Sequence, residues 1–367
     1  MNPRGNLPVT LPARIPAAGR LGAIAAAAVF LLSACSTSGG SSAAPSSAAA
    51  SGAPAGSTAA TAAAERASLK VGLAQPIFSY TPLYVAKAKG FFEEENLDVE
   101  LTIFQSSTDN QQAVLGDAID IGAGGYTEPM TIAAQGKPAV VFGFIQGALP
   151  YRLMGKAGID DISQLEGKVL AVSKIGALSD QITRIALSEK GFDPSKATYQ
   201  QAGGSPSRLA ALESGAVDGA LLDSPSYQLA EKAGAKVLIN VAAELPGFPY
   251  EVLYAKKDAV EAKHDVFLRF MRGFIKGAQY ATDPANEDEV LKIVADATGQ
   301  KAEDLKLAYD ETIKDFPPTG ELKLDGLQKA LDGTQKYGQL EGLEKVKAED
   351  LYYDAIQKEA VDSLGLK

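Results

Sequence analysis

The chain of 367 residues contains a single cysteine, Cys35, and a single histidine, His264. That scarcity excludes a disulfide framework, and it excludes a metal centre built on His or Cys ligands, which needs several such residues at set spacings. His264 reads as part of a late helix, where no Ser-His-Asp set is expected, and a Cys–His pair is not expected because Cys35 falls outside the folded region. Positive charge is also short: 35 Lys and Arg stand against 45 Asp and Glu, a net charge of −10. A nucleic-acid partner needs a basic face to neutralise phosphates, so none is expected. Phosphate loops of the nucleotide-binding kind are missing as well. Gly122-Ala123-Gly124-Gly125 starts like a dinucleotide fingerprint, but its third glycine falls on Thr127. No cofactor and no metal are expected. What remains is a chain too long for one core, pointing to two lobes.

The first 35 residues hold Arg4, Arg14 and Arg20, no acid, and an apolar run from Leu21 to Leu32. Twelve apolar residues fall short of the about 20 that span a bilayer. A basic segment, a short apolar stretch and small residues before a cut point have the form of a secretory signal. Leu32-Ser33-Ala34-Cys35 resembles the lipobox of bacterial lipoproteins, in which the cysteine becomes the lipidated N-terminus. Residues 36–64 are only Ser, Thr, Gly, Ala and Pro. Such a stretch cannot bury enough apolar area to offset chain entropy, so 36–68 is expected to be a disordered tether. An acidic body would be repelled by anionic lipid, which leaves the lipid on Cys35 as the membrane attachment.

From Leu69 onward, strand-like and helix-like segments alternate. LKVGLA (69–74) and LDVELTIF (97–104) are strands. Thr81-Pro82 opens a helix that Gly90 stops. Further strands are expected at 119–123 and 139–144, separated by helices, which predicts a parallel sheet with helices on its faces. The pattern restarts at KVLAVS (168–173), continues through strands at 197–201, 217–222 and 236–241, and turns almost purely helical after Asp258. Phe267, Phe270, Phe274 and Ala278 recur at helical spacing and read as a core-facing stripe. The stretches 150–156 and 250–256 read as crossovers between lobes. The expected fold class is α/β, with two lobes that are each a sheet flanked by helices. Residues 69–155 and 255–367 would form lobe 1, 156–254 lobe 2, and two crossover strands the hinge around a ligand cleft.

Three segments carry a family resemblance. They are Leu83-Tyr84-Val85-Ala86-Lys87-Ala88-Lys89-Gly90-Phe91-Phe92-Glu93, Leu165-Glu166-Gly167-Lys168-Val169-Leu170-Ala171-Val172 and Ala210-Ala211-Leu212-Glu213-Ser214-Gly215-Ala216-Val217-Asp218-Gly219-Ala220. In order and spacing they resemble the substrate-binding proteins of ABC importers for nitrate, sulfonates, taurine and thiamine-pyrimidine precursors, a periplasmic-binding-protein fold of type II. The resemblance implies a monomeric extracytoplasmic protein that captures a small molecule and hands it to a membrane permease. It extends to a eukaryotic enzyme that builds the thiamine pyrimidine, whose chemistry depends on histidine and a Cys-rich motif. Here the sole histidine, His264, reads as part of a helix beyond the return crossover and the sole cysteine, Cys35, is taken by the anchor, so an enzyme is not expected. A surface lipoprotein without a transport role is the remaining alternative class.

In open α/β sheets ligands bind beyond the carboxyl ends of strands, which selects candidate loops. After the first strand, Phe78 and Tyr80 either sandwich a planar ligand or pack the loop. Gln105 and Ser106 after the second strand are ligand donors or helix caps. Tyr126 and Glu128 open the helix after the third strand, where a carboxylate also complements the helix dipole. Asp223, after the strand ending at Leu222, is a further acid at a strand end or equally an N-cap, and Glu251 is nearby in the return crossover. Together the acids favour a ligand with an amino or other donor group, such as an aminopyrimidine. Ser173, Lys174, Gly176 and Gly204 argue the other way: hydroxyls, a cation and helix-start amides suit a sulfonate or another organic anion.

Overall fold

In the computed structural model the described residues are 65–104, 106–338 and 340–366. Cys35, the signal and nearly all of the tether lie outside them, as does Gln105. Among the described residues, ten strands form two sheets of five. The first sheet holds β1 (Ala67–Leu73), β2 (Leu97–Ile103), β3 (Ile121–Gly125) and β4 (Ala139–Gln146), joined by the late strand β10 (Glu251–Lys256). The second holds β5 (Arg152–Gly155), β6 (Val169–Val172), β7 (Thr198–Gln201), β8 (Gly219–Leu222) and β9 (Lys236–Asn240). Their orders are β2-β1-β3-β10-β4 and β7-β6-β8-β5-β9.

The first-lobe elements form where the sequence places them. Pro82 sits in the first turn of helix Thr81–Ala88, where its missing N–H costs nothing, and Gly90 follows the helix with φ of 75°. β2 alternates buried and exposed residues at its start, whereas β4 is buried on both faces. Phe267, Phe270, Phe274 and Ala278 on helix His264–Thr282 are fully buried, with Phe270 stacked on Phe92 at 5.1 Å. The stripe faces the core, as its helical spacing implies.

Two strands depart from the sequence reading. The stretches 150–156 and 250–256 are not free hinge strands. β5 is an interior strand of the second sheet, antiparallel to β8 and β9, and β10 is an interior strand of the first, antiparallel to β3 and β4. The lobe boundaries therefore fall before β5 and before β10, not at 155/156 and 254/255. Each strand fills a gap in the sheet the chain has just entered, so its ladder hydrogen bonds are satisfied there and not in the connection. The crossings themselves are 147–151 and 241–250. They lie side by side: the Tyr250 N–H donates to the Gln146 carbonyl at 3.1 Å, and the Tyr151 and Tyr250 hydroxyls are 3.2 Å apart.

The C-terminal helices also do more than complete lobe 1. Helix Leu324–Tyr337 packs on helix Leu178–Glu189 of lobe 2, closely enough that a Cβ on Gly333 would overlap Ile185. One hydrophobic cluster accordingly joins Val141 and Phe144 of the first sheet to Leu153 and Leu170 of the second through Leu327 and Leu331. A half-buried ion pair, Arg152 to Glu311 at 3.1 Å, ties β5 to helix Ala302–Thr312. No helix among the described residues is long and apolar enough to cross a membrane.

Candidate functional site

The carboxyl ends of β1, β3, β6, β7 and β8 open on one cleft of about 630 Å³ between the two sheets. That is the size and position at which small ligands are held in such folds. Lobe 1 lines it with Gln75, Ser107, Gln111, Thr127 and Glu128, and lobe 2 with Tyr151, residues 173–179, Gln181, Gly204, Ser205, Arg208 and Asp223.

Four helices point their N-termini into this cleft: Ser107–Leu115, Thr127–Ala134, Leu178–Glu189 and Ser205–Glu213. Ser106 caps the first of them, accepting from the Asp109 N–H at 3.2 Å. The other three carry no side-chain cap. Their first-turn amides and dipole ends therefore converge on the open space, which favours negative charge there.

Arg208 adds a full positive charge. It is buried, and its guanidinium donates to the Leu221 and Gly203 carbonyls, each at 2.6 Å, and to Ser205 Oγ at 2.9 Å. Those three bonds use part of a five-donor fork and leave N–H groups free. No carboxylate among the described residues forms an ion pair with it. Burial, partly countered by Tyr151 and Asp223, holds its guanidinium below the usual arginine range. Arginine in the first turn of a helix opposes the dipole. That was the available sequence signal for a functional cation, and the sequence reading passed over it.

Glu128 also lines the cleft, but its carboxylate is already engaged within lobe 1. Oε1 accepts from the Gly125 N–H at 3.0 Å and Oε2 from the Tyr254 hydroxyl at 2.5 Å. Burial pushes it up to about 7 despite those bonds. The residue fixes the β3 turn against β10, and the dipole-complementing reading describes it better than a ligand-seeking one. Glu128→Leu would strand the Gly125 N–H and the Tyr254 hydroxyl. It is expected to cost about 3 kcal/mol in urea unfolding at pH 6, with Glu128→Gln costing under about 1.

Of the other sequence candidates, Ser173, Lys174, Gly176, Gly204 and Asp223 come together on the lobe 2 wall. The Ser173 hydroxyl lies 2.7 Å from that of Ser179, and the Gly176 N–H donates to Asp180 at 2.8 Å. Phe78 and Tyr80 do not form an aromatic clamp. Phe78 is buried edge-on against Tyr309 and Phe316, with ring centres 6.3 and 6.0 Å away. Tyr80 is fully buried and donates to Glu251 at 2.8 Å. Both turn inward because the short helical turn 78–80 seats them on the lobe 1 core. Ser106 is spent as a cap. Tyr126 is fully buried against Phe248, and Glu251 lies beneath the cleft, not on its wall. Beyond Arg208, the sequence reading missed Gln111, Tyr151 and Gln181, whose single polar groups carry no local pattern. His264 is on the surface beside Glu359, far along the chain from these loops.

Residues 77–287, more than half of the chain, match the family described as NMT1/THI5 like. The Bacillus subtilis protein YtlA, which bears the name of a binding protein, is 27% identical over 266 residues, covering 70% of this chain and 75% of that protein. Among solved structures, the alkanesulfonate-binding protein of Xanthomonas axonopodis pv. citri bound to MOPS is similar with a TM-score of 0.60 at 18% identity, covering 80% of this chain and all of that one (100%). The periplasmic nitrate-binding protein of Synechocystis PCC 6803 gives a TM-score of 0.61 at 16% identity, covering 81% and 89%. At those identities the likeness establishes a shared two-lobed α/β fold.

Proposed function

The chain belongs to the NMT1/THI5-like family, and from that premise we propose that it is the solute-binding component of an ABC import system, taking a small organic anion into the interlobe cleft. The two solved neighbours are named for binding an alkanesulfonate and nitrate, and neither is named for a reaction. The observation that carries the anion reading is the convergence of three uncapped helix N-termini with buried Arg208 on a single cleft. Lys174 adds an exposed cation on the cleft lining. An anion held by amides of both lobes favours the closed arrangement by its differential affinity for closed over open, and a permease reads the closed shape. Attachment by lipid at Cys35, outside a bacterial membrane, belongs to the same proposal and rests on the lipobox sequence and the uncharged tether.

A second reading keeps the planar, nitrogen-bearing ligand such as an aminopyrimidine, and its support is the presence of Glu128 and Asp223 on the wall. It is weaker because the oxygens of Glu128 already have partners and the expected aromatic clamp faces the core. A thermal-shift screen of the globular part separates the readings. Alkanesulfonates or carboxylates are expected to raise Tm by mass action, and aminopyrimidines are not. Stabilisation by aminopyrimidines alone would reverse the assignment, and no shift with either class would favour a surface lipoprotein outside transport.

A further inference from the structure

Besides the packing of helix Leu324–Tyr337 on lobe 2, the lobes share a charged contact that the anion site does not use. Arg152, the first residue of β5 in lobe 2, pairs with Glu311 on helix Ala302–Thr312 of lobe 1 at 3.1 Å. Among the described residues it is the one ion pair that crosses between the lobes; the others stay within a lobe or reach only the crossing segment. The two side chains are 17 and 14% exposed, so both charges have given up most of their water. Such a pair is a weak source of net stability but a strong constraint on arrangement, because parting it leaves two poorly hydrated charges.

Further contacts tie this pair to the cleft. The Arg152 guanidinium lies over the Tyr227 ring at 5.1 Å, and its Nη1 donates to the Tyr151 carbonyl at 3.0 Å. The Tyr227 N–H donates in turn to the Asp223 carbonyl at 3.0 Å. Tyr151 and Asp223 both line the cleft, so the pair is bonded directly to the lobe 2 wall. On the lobe 1 side, Tyr309 of the same helix as Glu311 packs edge-on against Phe78 at 6.3 Å. The contact also holds a bond in reserve. Glu311 Oε2 is buried with no hydrogen-bond partner. The Tyr227 hydroxyl accepts from Gln228 Nε2 at 3.2 Å and so keeps its own proton to donate. Burial and the neighbouring Glu311 carboxylate hold the Tyr227 phenol above its ordinary range.

We propose that Arg152, Glu311 and Tyr227 form an interlobe clasp that holds the lobes together before a ligand enters, so that the protein rests closed and opens by releasing this contact. The inference goes beyond the anion reading and needs no ligand to test it. A ligand then adds its own differential affinity to a preference for closure that is already present.

Pulsed electron paramagnetic resonance on the ligand-free full chain carrying Cys35→Ser tests the clasp. Spin labels go on Gln112→Cys of helix Ser107–Leu115 and Ala210→Cys of helix Ser205–Glu213, exposed positions on opposite lobes. The parent is expected to give one short distance, matching the separation of those helices in the structure. Arg152→Met and Glu311→Gln should each raise the ratio of long to short distances about 10-fold. The double variant should go no further than the larger single one, because either change breaks the same contact. Glu311→Gln is nearly isosteric, which guards against a misfolded Arg152 variant. A merely structural role would lower the urea midpoint of these variants and leave the distances alone. That result, a parent whose distances are already long, or single effects that add in the double variant would overturn the clasp and leave the anion reading standing.

Discussion

Replacing Arg208 with methionine is expected to lower affinity for a bound anionic probe about 100-fold, the range measured when one member of a buried charge contact is removed. The reason is that the anion's charge is otherwise met only by helix-start amides and Lys174, and Lys174 is exposed, where water screens it. Arg208→Lys keeps the charge but not the fork, and it cannot bond Leu221, Gly203 and Ser205 together. It should fall between the two, at about a 10-fold loss. Both variants also leave the carbonyls of Gly203, after β7, and Leu221, in β8, short of donors, so a drop in unfolding free energy of about 1–3 kcal/mol accompanies the loss of affinity. Calorimetry and urea unfolding measure the two effects separately. A folded methionine variant that binds as tightly as the parent would remove Arg208 from the site.

Between about pH 5 and pH 8 the protein is expected to become steadily less stable as the pH rises, opposite to the usual behaviour of a carboxylate-rich chain. Glu128 and Glu251 are both buried in lobe 1. Burial lifts Glu128 to about 7, and burial together with the charge of Glu128 lifts Glu251 to about 8. The titratable groups around them are tyrosines, Tyr80, Tyr84, Tyr250 and Tyr254, all held above the ordinary range by burial and by these acids, and Ser107, Asn110 and the Gly125 N–H add neutral hydrogen bonds to Glu128 but no cation. The folded state keeps protons that the unfolded chain releases near pH 4.5, the ordinary value for both residues. Folding is thus favoured by proton binding, fully so below that pH, and the advantage is lost as the pH climbs through 7 and 8. Each carboxyl contributes a slope on the order of 1 kcal/mol per pH unit inside its window. Glu251→Gln keeps an acceptor for the Tyr80 hydroxyl and cannot ionise. It should flatten the profile and raise Tm at pH 8. A profile that rises from pH 5 to pH 8, or a Glu251→Gln variant with the parental slope, would show the pair to be ionised in the folded protein.

These expectations divide along the same line as the sequence reading itself. Apolar periodicity, Pro82, Gly90 and the alternation of strands with helices are local signals, and each one reports the few residues around it. They sufficed to place most elements, to foresee two lobes, and to put Ser173, Lys174, Gly204 and Asp223 on loops at strand ends. The resemblance of three helix and strand segments fixed the family because those segments carry the packing of the fold. Local signals could not say which way a side chain turns. Phe78 and Tyr80 sit on a strand-end loop, and the sequence left open whether they face a ligand or the core. The lobe 1 helices, more than two hundred residues further on, settled that by covering them.

What the sequence determined was the kind of molecule: an acidic, helix-and-sheet chain with two lobes, a single histidine and a single cysteine. What only the tertiary structure decided was which charges are spent and which are free. Glu128 is satisfied because β10 returns from far along the chain to bring Tyr254 against it, whereas Arg208 and Asp223 face the cleft with no mutual ion pair. Charge balance in a buried site depends on distances between residues remote in sequence, and no pattern along the chain records them.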